Sequence, residues 1–572
     1  MRKLNGFILV LTFLSLNQLI GGKDQIIHDA EYYILEEQNG QRWAEEDKEI
    51  DKRLAELRKK FGQPPNIVYI LWDDTAYGMA GFPGLQKNLG FETPNINQMA
   101  QDGINFNRMY TEPSCTPTRV AMLTGRHPVR NGMGVVGMPH EMSGLAGDEV
   151  TIAEVLSEAG YATAHYGKGH LGDIEESYLH NQGFDEALFT PMNQIVSLYS
   201  PLGSAANAVL GFSPEISPPD PYQLDKPGLL PEGWVMAIEG KKGEEGREWC
   251  GNSNECYDKI DTESEKRTLE FIRKNVKKGK PFYVQYWPLF LNFLKPDMPK
   301  ETLSGSKVAE ALVRLDRFVA QVIEELNELG IAENTLFVLM ADNGPMVHNP
   351  PAGWGMIDLI YRGGKGDFLE GGVRVPAFAL WPGMIEKGQY VGDIIHVTDL
   401  FTTFARLAGA KQYIPTDRVI DGIDQTALLL NGDTHSRRDY VFIYQGHQLG
   451  ATVKGRYKQH WISGDPGAAS GIGASFYDLF TDPREKSPML VQLIHTQGQF
   501  HRMRARHELM KKKYPDKPNA KGIPYTGLSN ARPETKEIME RAKRNVENMP
   551  FDFQEYLEFE VPGGKVDPDW GN

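Results

Sequence analysis

Three cysteines in 572 residues are too few to scaffold a fold with disulfides. No apolar run reaches the roughly 20 residues that a bilayer-spanning helix needs, so stable membrane insertion is not expected. Positive charge is also in short supply: 76 acidic against 61 basic residues leave a net charge of −15, which disfavours non-specific nucleic-acid binding. An anionic ligand would therefore need a local cluster of Lys, Arg or metal. With 40% hydrophobic and 24% charged residues the usage is that of an ordinary globular protein rather than a disordered chain. The length fits one large domain with smaller appendages.

At the start of the chain, Arg2-Lys3 leads into an apolar run from Phe7 to Leu16, then Gly21-Gly22 and polar sequence. This is the pattern of a signal peptide, predicted over residues 1–22, and it implies a secreted or periplasmic protein. Cys250 and Cys256 lie close together in a Gly/Asn-rich stretch. They are placed for a small loop disulfide in an oxidising compartment, with two free surface thiols as the alternative. Cys115 is then the odd cysteine of an exported chain. Between Gln41 and Phe61, Trp43, Ile50, Leu54, Leu57 and Phe61 recur at helical spacing. Gln63-Pro64-Pro65 stops that helix, so residues 23–65 read as a helical N-terminal extension.

From Ile67 the pattern changes to short uninterrupted apolar runs, Ile67 to Trp72, Tyr161 to Tyr166, Phe282 to Trp287 and Leu336 to Ala341. An amphipathic helix from Val308 to Leu329, closed by Gly330, lies between the last two. The predicted fold class is α/β: a large, doubly wound, mostly parallel sheet flanked by helices over residues 66–439. Pro201 to Gly251, rich in Pro, Gly and charge, reads as a long surface excursion. Beyond Tyr440 shorter strands predict a smaller antiparallel-sheet subdomain within residues 440–572. It ends in a helix near Phe500 to Lys513 and an extended tail.

In open α/β sheets the ligand site lies beyond the carboxyl ends of the strands. Here those ends carry Asp73-Asp74, Asp342-Asn343-Gly344 and, after Tyr166, Lys168 and His170. Three carboxylates and a carboxamide are hard oxygen ligands suited to Ca²⁺ or Mg²⁺. Taken singly, each acidic pair is also an ordinary turn or cap. In Ser114 to Arg126, Thr116 is expected to cap a helix starting at Pro117 and ending before Gly125. That places Cys115 at a helix N-terminus, where its thiol pKa should fall, with Arg119 one turn along as an anion donor. A buried structural cysteine is the competing reading.

Cys115-Thr116-Pro117-Thr118-Arg119, continuing to Leu123-Thr124-Gly125-Arg126, closely resembles the signature of type I sulfatases of the alkaline phosphatase superfamily. The likeness runs from about Asn66 to Pro488. It takes in Gly167 to Gly172, Asp342 to Pro345, Lys365 with Glu370 to Pro376, Gly455 to Lys458 and Tyr477 to Leu479. The resemblance implies that a maturation enzyme oxidises Cys115 to formylglycine. One hydroxyl of the aldehyde hydrate attacks sulfur and the other helps to expel sulfate. It also implies that Asp73, Asp74, Asp342 and Asn343, with the modified Cys115, hold Ca²⁺ in preference to Mg²⁺. Arg119 is then expected to orient the hydrate, Lys168 and Lys365 to bind sulfate, and His170 to hydrogen-bond the nucleophile. Asn292 stands where such enzymes carry a histidine near the leaving oxygen. An amide is no acid at neutral pH, so Asn292 is expected to bind substrate and His348 to replace the acid.

The expected activity is hydrolysis of sulfate esters outside the cytoplasm. A sulfated polysaccharide or oligosaccharide is the foremost substrate, a glycosaminoglycan such as chondroitin or dermatan sulfate or an algal glycan, with aryl sulfates also open. A phosphodiesterase or phosphonate hydrolase on the same scaffold is one alternative, and a non-catalytic protein that binds sulfated glycans is another.

Overall fold

The computed structural model describes residues 25–139, 141–194, 234–291, 300–346, 360–462, 475–489 and 494–548. The predicted signal peptide, Asn292 and His348 lie outside these residues.

The main sheet has ten strands: β1 (Asn66–Trp72), β2 (Ile104–Phe106), β3 (Ala162–Lys168), β4 (Glu186–Thr190), β5 (Val235–Lys241), β6 (Arg247–Gly251), β7 (Phe282–Trp287), β8 (Thr335–Ala341), β9 (Ala377–Leu380) and β10 (Gln389–Val391). Their spatial order is β10-β2-β9-β8-β1-β7-β3-β4-β5-β6. The five central strands, β8-β1-β7-β3-β4, run parallel, and antiparallel pairings extend the sheet on both sides. All seven residues of β1 are buried, as continuous apolar strands require when helices cover both faces. On one face Tyr286 meets Phe318 of a helix at Lys307–Glu328, and on the other Tyr283 meets Phe404 of a helix at Asp399–Ala408.

Several boundaries differ from the sequence expectation. The first helix, α1 (Ala30–Phe61), begins well before Gln41 and passes through Gly40, a residue that local propensity alone would use as a stop. Tertiary contacts hold it: Trp43, Ile50, Leu54 and Leu57 are buried, and Asp47 pairs with Arg406 at 2.7 Å. The predicted surface excursion is overturned at its C-terminal end, where β5 and β6 form a hairpin on the sheet edge. Cys250, in β6, is disulfide-bonded to Cys256. The polar tail is not all extended, since Pro533–Asn548 is helical.

The small subdomain is a four-stranded antiparallel sheet, β11 (Tyr440–Gln445), β12 (Gln448–Lys454), β13 (Tyr457–His460) and β14 (Phe476–Asp478), in sequential order. A helix at Ile494–Lys513 packs beside it, where His507 stacks on Phe442 at 4.1 Å. A buried ionic cluster fastens this sheet to the main domain. Lys458 lies 3.1 Å from Glu370 and 3.0 Å from Glu485, His460 lies 2.7 Å from Glu485, and the Glu370 amide donates to Glu485 at 2.8 Å.

Burial alone would raise the Glu485 pKa, but Lys458 and then His460 hold it down to about 2. Because its folded pKa is depressed, the carboxylate stabilises the protein fully above the ordinary carboxylate range, and this contribution is lost as pH falls toward about 2. Glu485→Gln is expected to cost about 3 kcal/mol at neutral pH, since a buried Lys458 is left short of counter-charge. Urea unfolding at descending pH should show the gap between variant and wild type narrowing. A gap that does not change with pH would refute this assignment.

Candidate active site

The parallel register of β1 and β8 sets Trp72 opposite Ala341, so Asp73 and Asp342 leave the sheet side by side. The Asp342 amide donates to the Trp72 carbonyl at 2.8 Å. The Asp74 amide donates to Asp342 Oδ1 at 3.1 Å, and Asn343 Nδ2 donates to Asp74 Oδ1 at 2.8 Å. Asp74 has φ +51° and His170 has φ +60°. Such left-handed conformations cost a non-glycine residue of order 1 kcal/mol or more and recur at functional sites. Gly344 permits a close approach: its amide donates to the Gly372 carbonyl at 2.9 Å, and a Cβ there would stand 1.7 Å from the Gly371 oxygen.

Facing these strand ends is α2 (Cys115–Thr124), which is entirely buried. The expected cap is shifted by two residues. Ser114 is the N-cap, Cys115 the first helical residue, and Thr116 Oγ1 instead accepts from the Gly137 amide at 2.8 Å. Gly125, at φ +67°, closes the helix as expected. Arg119 reaches from its second turn into the acidic cluster, 3.2 Å from Asp73 and 3.0 Å from Asp342. Its guanidinium lies 4.7 Å from the ring of Trp287, at the end of β7. Lys168, the last residue of β3, contacts Asp73 at 2.5 Å. Lys365 donates to Asp74 at 2.8 Å and to Cys115 Sγ at 2.9 Å.

Asp73, Asp74, Asp342, Cys115, Arg119 and Lys168 thus form one contiguous buried cluster, with the part-buried Lys365 closing it and Asn343 on its edge. His170 joins it through Gly137, whose carbonyl accepts from Nε2 at 2.7 Å. Sequence reasoning did not identify Trp287 or Gly137 as part of the site. Trp287 was legible as a strand end, whereas nothing in the sequence marked a backbone group such as that of Gly137.

The electrostatics depart from one expectation. The helix N-terminus was expected to lower the thiol pKa, yet burial and then Asp342 push Cys115 up to about 12. Burial, then Asp73, also raises Asp342, to about 7, whereas Lys168 and Arg119 overcome burial and hold Asp73 well below the usual carboxylate range. Burial would lower the Lys365 pKa, but Asp74 facing it keeps the ammonium firmly cationic. His170 is pushed well below its ordinary value by burial and then Lys168, so it is neutral.

The donors suit a hard divalent cation. Asp73, Asp74, Cys115 and Asp342 each offer a ligand atom within 4.8 Å of the others, and Asp73 Oδ2 and Asn343 Oδ1 are buried without a hydrogen-bond partner. Three carboxylates already face three cationic side chains. A divalent ion would therefore leave a net positive charge for an anionic substrate.

A family model described as Sulfatase matches residues 65–410, more than half of the chain, and the chain belongs to the sulfatase family. It is 32% identical to N-acetylgalactosamine-6-sulfatase of Rattus norvegicus over 419 residues, covering 70% of this chain and 71% of that protein. It is 33% identical to arylsulfatase A of Homo sapiens over 456 residues, covering 75% and 84%. The crystal structure of the PsFucS1 sulfatase from Pseudoalteromonas sp. superposes with a TM-score of 0.70 at 29% identity, covering 83% of this chain and 96% of that one. The protein is a sulfuric ester hydrolase.

Arg119→Met should lower the unfolding free energy by about 3–5 kcal/mol, because two buried carboxylates lose their shared counter-ion. Arg119→Lys should recover only part of this, since an ammonium cannot span both acids as the planar guanidinium does. Denaturant unfolding of both variants checks the ranking, and a Met variant as stable as wild type would contradict it.

Proposed function

We propose that this sulfatase hydrolyses sulfate esters of a sulfated polysaccharide or oligosaccharide outside the cytoplasm, through formylglycine at position 115 and a bound Ca²⁺. The observation that carries the reading is the cluster in which buried Cys115 touches Lys365 and faces Asp74, with Sγ 3.9 Å from Oδ1. A thiol held protonated by burial is a poor nucleophile, which favours conversion to an aldehyde whose hydrate supplies the attacking hydroxyl. Asp73, Asp74, Asp342 and Asn343 would hold Ca²⁺, which when bound supplies positive charge to the sulfate oxygens and the nucleophile.

The remaining roles fall to side chains. Lys365 and Lys168 bind the sulfate oxygens, and Arg119, fixed between Asp73 and Asp342, keeps the hydrate in one orientation. His170 donates Nε2–H to Gly137 and keeps Nδ1 as a buried acceptor without a partner. A neutral ring with that lone pair free can take a proton from a hydroxyl. His348 protonates the departing alcohol, and Asn292 contacts the sugar.

The name of one relative, N-acetylgalactosamine-6-sulfatase, supports a carbohydrate substrate. Export is supported by the N-terminal apolar run and by the Cys250–Cys256 disulfide, a bond characteristic of oxidising compartments.

Peptide mass spectrometry of active protein from its native host should find an aldehyde at position 115. An unmodified thiol there would sink the formylglycine reading, and Cys115→Ala should abolish turnover. His348→Ala should reduce the rate on sugar sulfates at least about 100-fold, but far less on aryl sulfates whose phenols leave without protonation. Equal losses on both would remove His348 from the acid role. Ca²⁺ added to chelator-treated protein should raise its melting temperature with ion concentration, because the ion binds only the folded site.

A further inference from the structure

A second group of metal-type ligands lies behind the helix that carries Cys115. Glu112, His127 and His396 are all buried, and each offers one atom within 4.8 Å of the other two. His127 Nδ1 is 2.8 Å from Glu112 Oε1, and His396 Nε2 is 3.9 Å from the same oxygen. Two ligand atoms on one tetrahedral zinc, each at about 2.0–2.1 Å, stand roughly 3.3 Å apart, and the two observed separations straddle that value.

Two further observations point to an ion. His396 Nε2 is buried and has no hydrogen-bond partner, although such groups are nearly always satisfied in native proteins. The other ring nitrogen, Nδ1, lies 2.8 Å from Thr398 Oγ1. The Thr398 amide also donates to Nδ1 at 3.4 Å, and the Thr398 hydroxyl can donate to the free ring or accept from Nδ1–H once an ion takes the Nε2 lone pair. The local charges are also incomplete. Asp421 and Asp29 pair with Arg130, and Asp399 pairs with Arg438. Among the described residues the ion-pair partners of Glu112 are only His127 and His396.

We propose that Glu112 Oε1, His127 Nδ1 and His396 Nε2 form a second, structural site for a borderline divalent cation, with zinc its natural occupant. Two imidazoles and one carboxylate suit zinc better than calcium. The ligands come from the segment just before α2, the second residue after its closing Gly125, and the short strand Ile395–His396 that pairs with Met109–Tyr110. Thr118 Oγ1 in α2 also donates to the Glu112 carbonyl at 3.0 Å. An ion here fastens both ends of the Cys115 helix to one strand.

The test uses full-length Cys115→Ala protein, so that no thiol competes for zinc, stripped with chelator and then saturated with Ca²⁺. Titration with ZnCl₂, followed by gel filtration and elemental analysis, should show one tightly held zinc, and Co²⁺ in its place should give visible d–d absorption. His396→Ala and Glu112→Gln should each weaken zinc at least about 100-fold. Glu112→Gln keeps an acceptor of the same shape for His127, so it reports on ligation even where His396→Ala fails to fold. Zinc that does not bind, or that binds both variants as tightly as the parent, overturns the proposal and leaves a Glu112–His127 ion pair beside a neutral histidine.

Discussion

Two parallel strands joined in register bring Asp73 and Asp342 to the same level, and two carboxylates this close in a buried site repel each other unless a cation lies between them. The guanidinium of Arg119 meets that demand by contacting both. Its position depends on Trp287 beneath it and on α2, which delivers it from one turn beyond Cys115. Lys168 then balances Asp73, and Lys365 balances Asp74. Removing any one of these charges changes the electrostatic setting of the rest, so Cys115, the three carboxylates, Arg119 and the two lysines behave as a single charge network.

Much of this was legible in the sequence, for identifiable reasons. A parallel sheet buried on both faces leaves uninterrupted apolar runs, so Ile67 to Trp72 and Leu336 to Ala341 marked strands, and polar residues at their carboxyl ends marked a candidate site edge; that the two strands are neighbours came from the structure. Lys365 had no such signal. It lies in a glycine-rich loop and stood out only through resemblance to a family. The N-terminal half of α1 was missed because Gly40 is a local stop that long-range packing overrides. The β5–β6 hairpin was missed because its strands begin inside a stretch rich in Pro, Gly and charge. Glu112, His127 and His396 lie too far apart in sequence to form a spacing motif.

The thiol shows where local rules fail. A helix N-terminus does favour an anion, but its effect is modest beside complete burial next to carboxylates. Lys365, 2.9 Å from the sulfur, does not reverse that outcome. The positive φ of Asp74 is held by its contacts with Asp342, Asn343 and Lys365.

Cys115 is 0% exposed, and this bears on the order of events in the life of the chain. A side chain closed in by its own helix and the facing strand ends is out of an enzyme's reach in the folded chain, so the oxidation proposed for this position would act before folding. Residue 115 emerges during synthesis long before Asp342 and Lys365, which close over it, have been made. On the proposed reading, the nascent chain is the form that a modifying enzyme would meet.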